Sequence, residues 1–177
     1  MAEIETSPKQ SFDWRLLVPL SLTVVLLVSD QIIKALIVAH VPINTIYTDL
    51  GHGFFRIIHE RNLGIALSIG NGAPDFFRTL LFKILPLVVL SAVVVYYFFG
   101  KDLNWYRRWT LAGILGGGFG NLLDRFFRPD GVVDFIDVKF YGIFGWERFP
   151  TFNIADASIS VCSVLLFSSL LFARKRQ

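Results

Sequence analysis

The sequence predicts an all-α polytopic membrane protein: four transmembrane helices, a small extracytoplasmic β-structured platform and an outer loop. Three observations carry that expectation. Hydrophobic residues make up 54% of the 177-residue chain and charged ones only 18%, against roughly 25% in soluble domains. Four stretches approach the ~20 residues needed to cross ~30 Å of hydrocarbon. Lysine and arginine are unevenly shared among the segments that join them.

The first stretch, 16–39, resembles a signal peptide at its start, but no small-x-small cleavage site follows, and apolar sequence resumes after Asp30 with Ile32, Ile33, Ala35 and Leu36. It is read as a retained helix. The second, 80–99, contains Pro86, which predicts a kink, and Lys83, which can snorkel from near its end. The third, 109–126, is the least hydropathic because it holds Gly113, Gly116, Gly117, Gly118 and Gly120. Gly113 and Gly117 are four apart, as are Gly116 and Gly120, giving two small-xxx-small faces for close helix approach. A phosphate-binding loop would need a preceding strand and a following Lys-Ser/Thr, and neither is present. The fourth, 153–173, includes Cys162, expected to fill space in an apolar run.

The segments 1–15, 100–108 and 174–177 hold 8 Lys and Arg in 28 residues, while 40–79 and 125–151 hold 7 in 67. The positive-inside rule then puts both termini in the cytoplasm and the outer loops, 40–79 and 127–152, on the far side. Strand-like pieces at 43–47 and 53–59, followed by the Gly70-Asn-Gly turn signal, predict the platform. The net charge of +3 is explained by this topology, and no basic groove suggests nucleic acid. Residues 1–177 are read as a single membrane-embedded domain.

Acids inside such a chain are costly, by about 2.5–3.5 kcal/mol each on insertion scales. Asp30 and Lys34 stand in the favourable i,i+4 order, which predicts an intrahelical pair shielding both charges. Asp30 lies ~21 Å up its helix at 1.5 Å per residue. Asp124, Asp134 and Asp156 all fall at the outer ends of the third and fourth helices, so the acids gather at one depth. Asp124 and Arg125 are expected to form an ion-paired structural cluster, with Asn121 on the same side of the helix. Asp156, three residues after Asn153, suits a helix N-terminus, and Asp134 taken alone suits a solvated loop.

Two acids converging at a membrane surface suggest acid–base hydrolysis without a metal. His40, His52 and His59 lack the spacing of a zinc site and are read as single surface histidines. Ser29 with Lys34 is off a common helical face, and Ser68 sits in no nucleophile elbow. The principal alternative is an ion-coupled transporter or proton channel, which would place acids near the midplane and usually shows internal symmetry.

Five motifs in order and spacing carry a resemblance over nearly the whole chain: Asp30-Gln-Ile-Ile-Lys34, Asn62-Leu-Gly-Ile-Ala-Leu-Ser68, the Gly116–Arg125 run GGGFGNLLDR, VVDF at 132–135 and FNIAD at 152–156. The chain resembles the bacterial lipoprotein signal peptidases (signal peptidase II), membrane aspartyl proteases with four transmembrane helices. The resemblance implies that Asp134 and Asp156 are the catalytic pair, and that Asp30, Lys34, Asn62, Asn121, Asp124, Arg125 and Asn153 support the site or hold substrate. It implies cleavage of the amide before the lipidated Cys of diacylglyceryl-modified prolipoproteins, in the bacterial cytoplasmic (inner) membrane, with the active site toward the extracytoplasmic face. Inhibition by globomycin-type depsipeptides follows from it. The chain is expected to act as a monomer in contact with membrane lipid, with no cofactor or metal. Leu67 departs from the family's usual Phe.

Overall fold

The structure, a computed structural model, describes residues 13–63 and 74–174. A 3-10 turn, Trp14–Leu17, leads into α1 (Leu20–His40). Strands β1 (Ile46–Leu50) and β2 (Phe55–Asn62) follow. Next come α2 (Asp75–Thr79), a π-helical turn (Leu80–Ile84), α3 (Leu85–Phe99) and α4 (Trp105–Phe127). Strands β3 (Val132–Ile143) and β4 (Trp146–Arg148) precede the last helix, α5 (Ile154–Arg174). The residues 64–68 of the second motif, including Leu67 and Ser68, lie outside the described residues, as does the Gly70-Asn-Gly turn signal.

Among the described residues three helical stretches are long and apolar enough to cross a membrane: Trp14–His40, Phe76–Phe99 and Ile154–Phe172. Their outer faces are oily. Val24, Val25 and Ile32 on α1, Val88 and Val95 on α3, and Val161, Val164 and Phe167 on α5 are all exposed. The interior carries the charge instead, with Asp30, Lys34 and Asp124 buried. The expected fourth stretch is α4. Its 23 residues span ~34 Å, but α1, α3 and α5 all pack on it, so it carries less of the apolar signal that lipid contact demands.

The glycines of α4 permit that packing. A Cβ on Gly113 would collide with Cys162 Sγ, and one on Gly117 with the Ala155 carbonyl, both on α5. On the second face, Gly116 would meet the Thr23 carbonyl at 3.0 Å and Gly120 the Asp30 carboxylate at 2.8 Å, both on α1. Gly118 turns toward Leu90 of α3. The two predicted small-residue faces thus address different helices, and Cys162 fills the space above Gly113.

The irregularity expected at Pro86 takes the form of the π turn just before it. Proline has no N–H to give the carbonyl one turn back, and the Leu85 N–H already reaches the Leu80 carbonyl, five residues earlier. The helix begins again with Pro86 in its first turn.

The sheet is antiparallel in the order β1-β2-β3-β4. The segment 127–152, read from sequence as a loop, therefore supplies half of its strands. Val133 and Phe135 pack with Ile37 and Val41 at the end of α1, which seats the sheet on the bundle. Phe135 and Ile136 donate backbone bonds to the Phe152 carbonyl at 3.1 and 2.8 Å, tying β3 to the start of α5. His59 corrects the surface reading. A register shift between Ile57 and Glu60 turns both Ile58 and His59 inward, and His59 Nδ1 lies 2.7 Å from the Val41 carbonyl.

The glycine contacts set an order of sensitivity. Gly117→Ala drives a methyl into backbone, which cannot yield, and should destabilise by about 1–3 kcal/mol. Gly118→Ala meets only the movable Leu90 side chain and should lower the detergent-solubilised melting midpoint less. Equal midpoints for the two variants would refute this account of α4.

Candidate active site

Lys34 is the centre of a buried charge cluster. Its Nζ lies 2.8 Å from Asp30 Oδ2 and 2.8 Å from Asp124 Oδ2, all three side chains fully shielded. The third ammonium proton goes to Asn121 Oδ1 at 3.1 Å, so every donor is satisfied. The expected Asp30–Lys34 pair is present, with a second acid added. Asp124 does not draw on Arg125 as its principal partner, because neighbours in a helix do not face each other. It pairs instead with Lys34 and, one turn on, with Arg128 at 3.0 Å. Arg125 donates to the Asn121 carbonyl at 3.5 Å.

Two residues of this cluster were not singled out from sequence. Gln31 Nε2 donates to Asp124 Oδ1 at 3.0 Å and to the Gly120 carbonyl at 3.1 Å. Arg128 is the other. Its i,i+4 spacing from Asp124 was the signal available for it, and the position of Gln31 inside the first motif was the signal for that residue.

Asp30 also reaches α5: the Ala155 N–H donates to Asp30 Oδ1 at 3.1 Å. A carboxylate from one helix thus caps the first turn of another, where free N–H groups concentrate positive potential. Asn153 and Asp156 complete that end reciprocally. The Asp156 N–H donates to Asn153 Oδ1 at 2.9 Å, and the Asn153 N–H donates to Asp156 Oδ2 at 3.2 Å, a capping box.

The two asparagine amides then connect the acids. With its oxygen engaged by Lys34, Asn121 turns its Nδ2 to Asp156 Oδ1 at 2.6 Å. Asn153 Nδ2 donates to Asp134 Oδ1 at 2.7 Å and to Asn121 Oδ1 at 3.1 Å. From β2, Asn62 Nδ2 reaches Asp134 Oδ2 at 3.1 Å. Asp134, expected on a solvated loop when taken alone, is 2% exposed on β3. Burial, then the neighbouring Asp156 charge, push its carboxyl up to about 7, against the hydrogen bonds from Asn62 and Asn153. All nine residues proposed from sequence for the site therefore lie at one end of the bundle, with Asn62 and Asp134 on strands β2 and β3 of the sheet.

Hydrogen-bonded carboxylates gathered at one end of a bundle with three membrane-length helices define a polytopic membrane protein with a buried polar site. Comparison with known proteins is specific. Residues 22–172 match the family described as signal peptidase (SPase) II. The lipoprotein signal peptidase of Treponema pallidum (strain Nichols) is 47% identical over 158 residues, covering 89% of this chain and 85% of that protein. That of Treponema denticola is 43% identical over 159 residues, covering 90% and 91%. A bacterial membrane enzyme solved by the in meso method aligns with a TM-score of 0.76 at 30% identity, over 90% of each chain. The chain belongs to the signal peptidase II family. It is a membrane peptidase.

Removing the central cation tests the cluster. Lys34→Met leaves Asp30 and Asp124 facing each other without their shared ammonium, and should destabilise by about 3–5 kcal/mol. The readout is the thermal midpoint of purified protein. A midpoint within 2 °C of wild type, on the order of a fraction of a kcal/mol, would deny Lys34 that role.

Proposed function

We propose that this peptidase removes the signal peptide from diacylglyceryl-modified prolipoproteins by cleaving the amide just before the lipidated Cys, with Asp134 and Asp156 as its catalytic pair. The observation that carries the reading is the asparagine-linked convergence of those two carboxylates, in a chain whose relatives are lipoprotein signal peptidases.

In this mechanism one proton serves the pair. Asp156, as carboxylate, takes a proton from water while the water oxygen attacks the scissile carbonyl. Asp134, whose carboxyl holds its proton up to about pH 7, donates to the developing oxyanion. The proton gained by Asp156 then passes to the leaving amine as the C–N bond breaks, and a hydroxyl of the intermediate returns its proton to Asp134 as the carbonyl re-forms. Asn62 and Asn153 orient Asp134, and Asn121 orients Asp156. Lys34, held by Asp30 and Asp124, positions the Asn121 amide from below, and Arg125 adds positive charge beside the pair. No step calls for a cofactor or metal.

The same reading takes α4 as a fourth span, sheathed by the other three. It places both termini in the cytoplasm of a bacterial inner-membrane protein, with the sheet and site extracytoplasmic. Substrate then approaches laterally through lipid, with its acyl chains in the bilayer, and 1–177 acts as a monomeric single domain. The transporter alternative fits poorly, since the acids cluster at one end of the bundle.

Asp134→Asn and Asp156→Asn should each lower cleavage of a lipidated precursor by roughly 10²- to 10⁴-fold while leaving a folded protein. A gel assay with lipidated and unlipidated precursors is the test, and retained cutting by both variants would sink the assignment. The rate should fall as pH rises through about 7, where Asp134 loses its proton.

Stability carries the same signature. A folded-state pKa raised above the ordinary aspartate value of 3.8 means a contribution fully present below that value and lost as pH rises through about 7. Asp134→Asn should therefore melt above wild type at pH 8, with the gap closing toward pH 5. A gap independent of pH would contradict the raised carboxyl.

A further inference from the structure

The sheet is seated on the bundle chiefly at the start of β3, through Val133 and Phe135. Beyond that seat it has two unlike faces. Asp49 stands opposite Arg56, and Arg56 opposite Asp137, and directly opposed residues of an antiparallel pair share a face. That face carries ion pairs, Arg56 to Asp49 at 2.8 Å and Arg148 to Asp137 at 2.6 Å. Alternate positions fall on the other face, where Leu50 opposes Phe55, Phe55 opposes Val138 and Ile57 opposes Ile136. Every member of those pairs is apolar. The outer part of this face is bare, with Leu50 56% and Tyr47 66% exposed.

The apolar face overhangs α1. A cavity of about 600 Å³ lies in the angle between them, walled by Ile33 and Leu36 of α1 and by Tyr47, Phe55, Ile57 and Ile136 of the sheet. Its size is that of a ligand pocket, roughly 300–1,000 Å³, and none of the nine site residues is among its walls. Along α1 the cavity runs into a strip formed by Val25, Ile32 and Leu36, which share one side of the helix and are exposed. That strip belongs to a stretch long and apolar enough to cross a membrane. Tyr47 stands just past the end of α1, and tyrosine is enriched where the headgroups of a bilayer begin.

We propose that this cavity takes an acyl chain of a bilayer phospholipid, with the apolar face of the sheet resting on that leaflet and the ion-paired face turned to water. The occupant follows from continuity. The cavity extends a helix surface that already faces lipid, and hydrocarbon is what such a surface supplies. Water there would leave Leu36, Phe55 and Ile57 hydrated, which is unfavourable for apolar surface. Phe135 is also in the wall and adjoins Asp134 in the chain, so an inserted chain bears on the strand that carries this acid. The inference stands on the two faces of the sheet and is independent of the roles given to Asp134 and Asp156.

The test is spin-label accessibility in the full chain, reconstituted in nanodiscs of phosphatidylcholine and phosphatidylglycerol. Labels go on Leu50→Cys, Ile57→Cys and Asp49→Cys, each in a Cys162→Ala background and each first shown to keep the melting midpoint of that background. Oxygen concentrates in hydrocarbon, whereas a nickel chelate stays in water. The oxygen-to-nickel collision ratio should be several times higher for Leu50→Cys and Ile57→Cys than for Asp49→Cys. Lys139→Cys, in register with Arg148, gives the polar-face reading if Asp49→Cys melts early. Equal ratios on the two faces put the sheet in water and overturn the inference. Shielding of Leu50→Cys and Ile57→Cys from both reagents overturns it too, in favour of a second copy if the spectra sharpen on dilution with unlabelled protein. Oxygen access at Ile57→Cys that appears only after lipidated precursor is added overturns the assignment to bilayer lipid and gives the cavity to the substrate.

Discussion

The ammonium of Lys34 is the interaction on which the rest of this structure depends. Desolvating a single charge costs several kcal/mol even after relaxation, and here three charged side chains are wholly shielded. The arrangement is tolerable because the ammonium spends its donors on Asp30, Asp124 and Asn121, and Asp124 takes further bonds from Arg128 and Gln31. Its consequences reach beyond electrostatics. By engaging the Asn121 oxygen, Lys34 fixes which way that amide points, and so delivers an N–H to Asp156. The glycines belong to the same constraint. A methyl on Gly120 would stand 2.8 Å from Asp30 Oδ2, so the bare backbone there makes room for the carboxylate that Lys34 holds.

The start of α5 shows how one set of bonds can serve folding and chemistry together. Asp156 answers the helix N-terminus as any capping acid would, and Asp30 answers it again from α1. Neither needs a catalytic purpose to be there. What a capping role leaves unexplained is Asp134, brought by a different element to the same asparagine. It is buried beside another acid, and that neighbour raises its carboxyl further. A fold selected for stability alone would gain by replacing it with a neutral residue. Its presence is informative for that reason: strain in charge is kept at the point where proton transfer is proposed.

The apolar helices and the Asp30–Lys34 pair were legible from the letters because each follows a local rule, whereas the site roles of Asn62 and Asp134 rested on the family resemblance. Lipid contact demands apolar runs, a four-residue glycine spacing makes a face, and Asp30 with Lys34 has the i,i+4 order. The sheet was half legible. β1 and β2 announced themselves near 43–47 and 53–59, but β3 did not, since Val132, Val133, Asp134 and Phe135 are all buried. A strand covered on both faces loses the alternation by which strands are recognised. Gly142 and Gly145 shape the β3–β4 turn at φ +76° and +82°. The pairing of Asp124 with Lys34 was hidden for a different reason. Lys34 is 90 positions away, and only the close approach of α1 to α4 brings them together.

The sheet and the charge cluster also divide the work by height. Below, the Lys34 cluster is closed by three helices. Above it, β2 and β3 lay Asn62 and Asp134 over the ends of α4 and α5, so the upper acids share amides with the cluster but lie nearer the edge of the bundle. Hydrolysis needs water to reach one carboxylate and needs the other kept dry enough to hold its proton. A site sunk to the midplane would starve the first requirement, and one on an open loop would lose the second. The end of a helix bundle, roofed by a short sheet seated on Ile37 and Val41, meets both, as the roles proposed for Asp134 and Asp156 require.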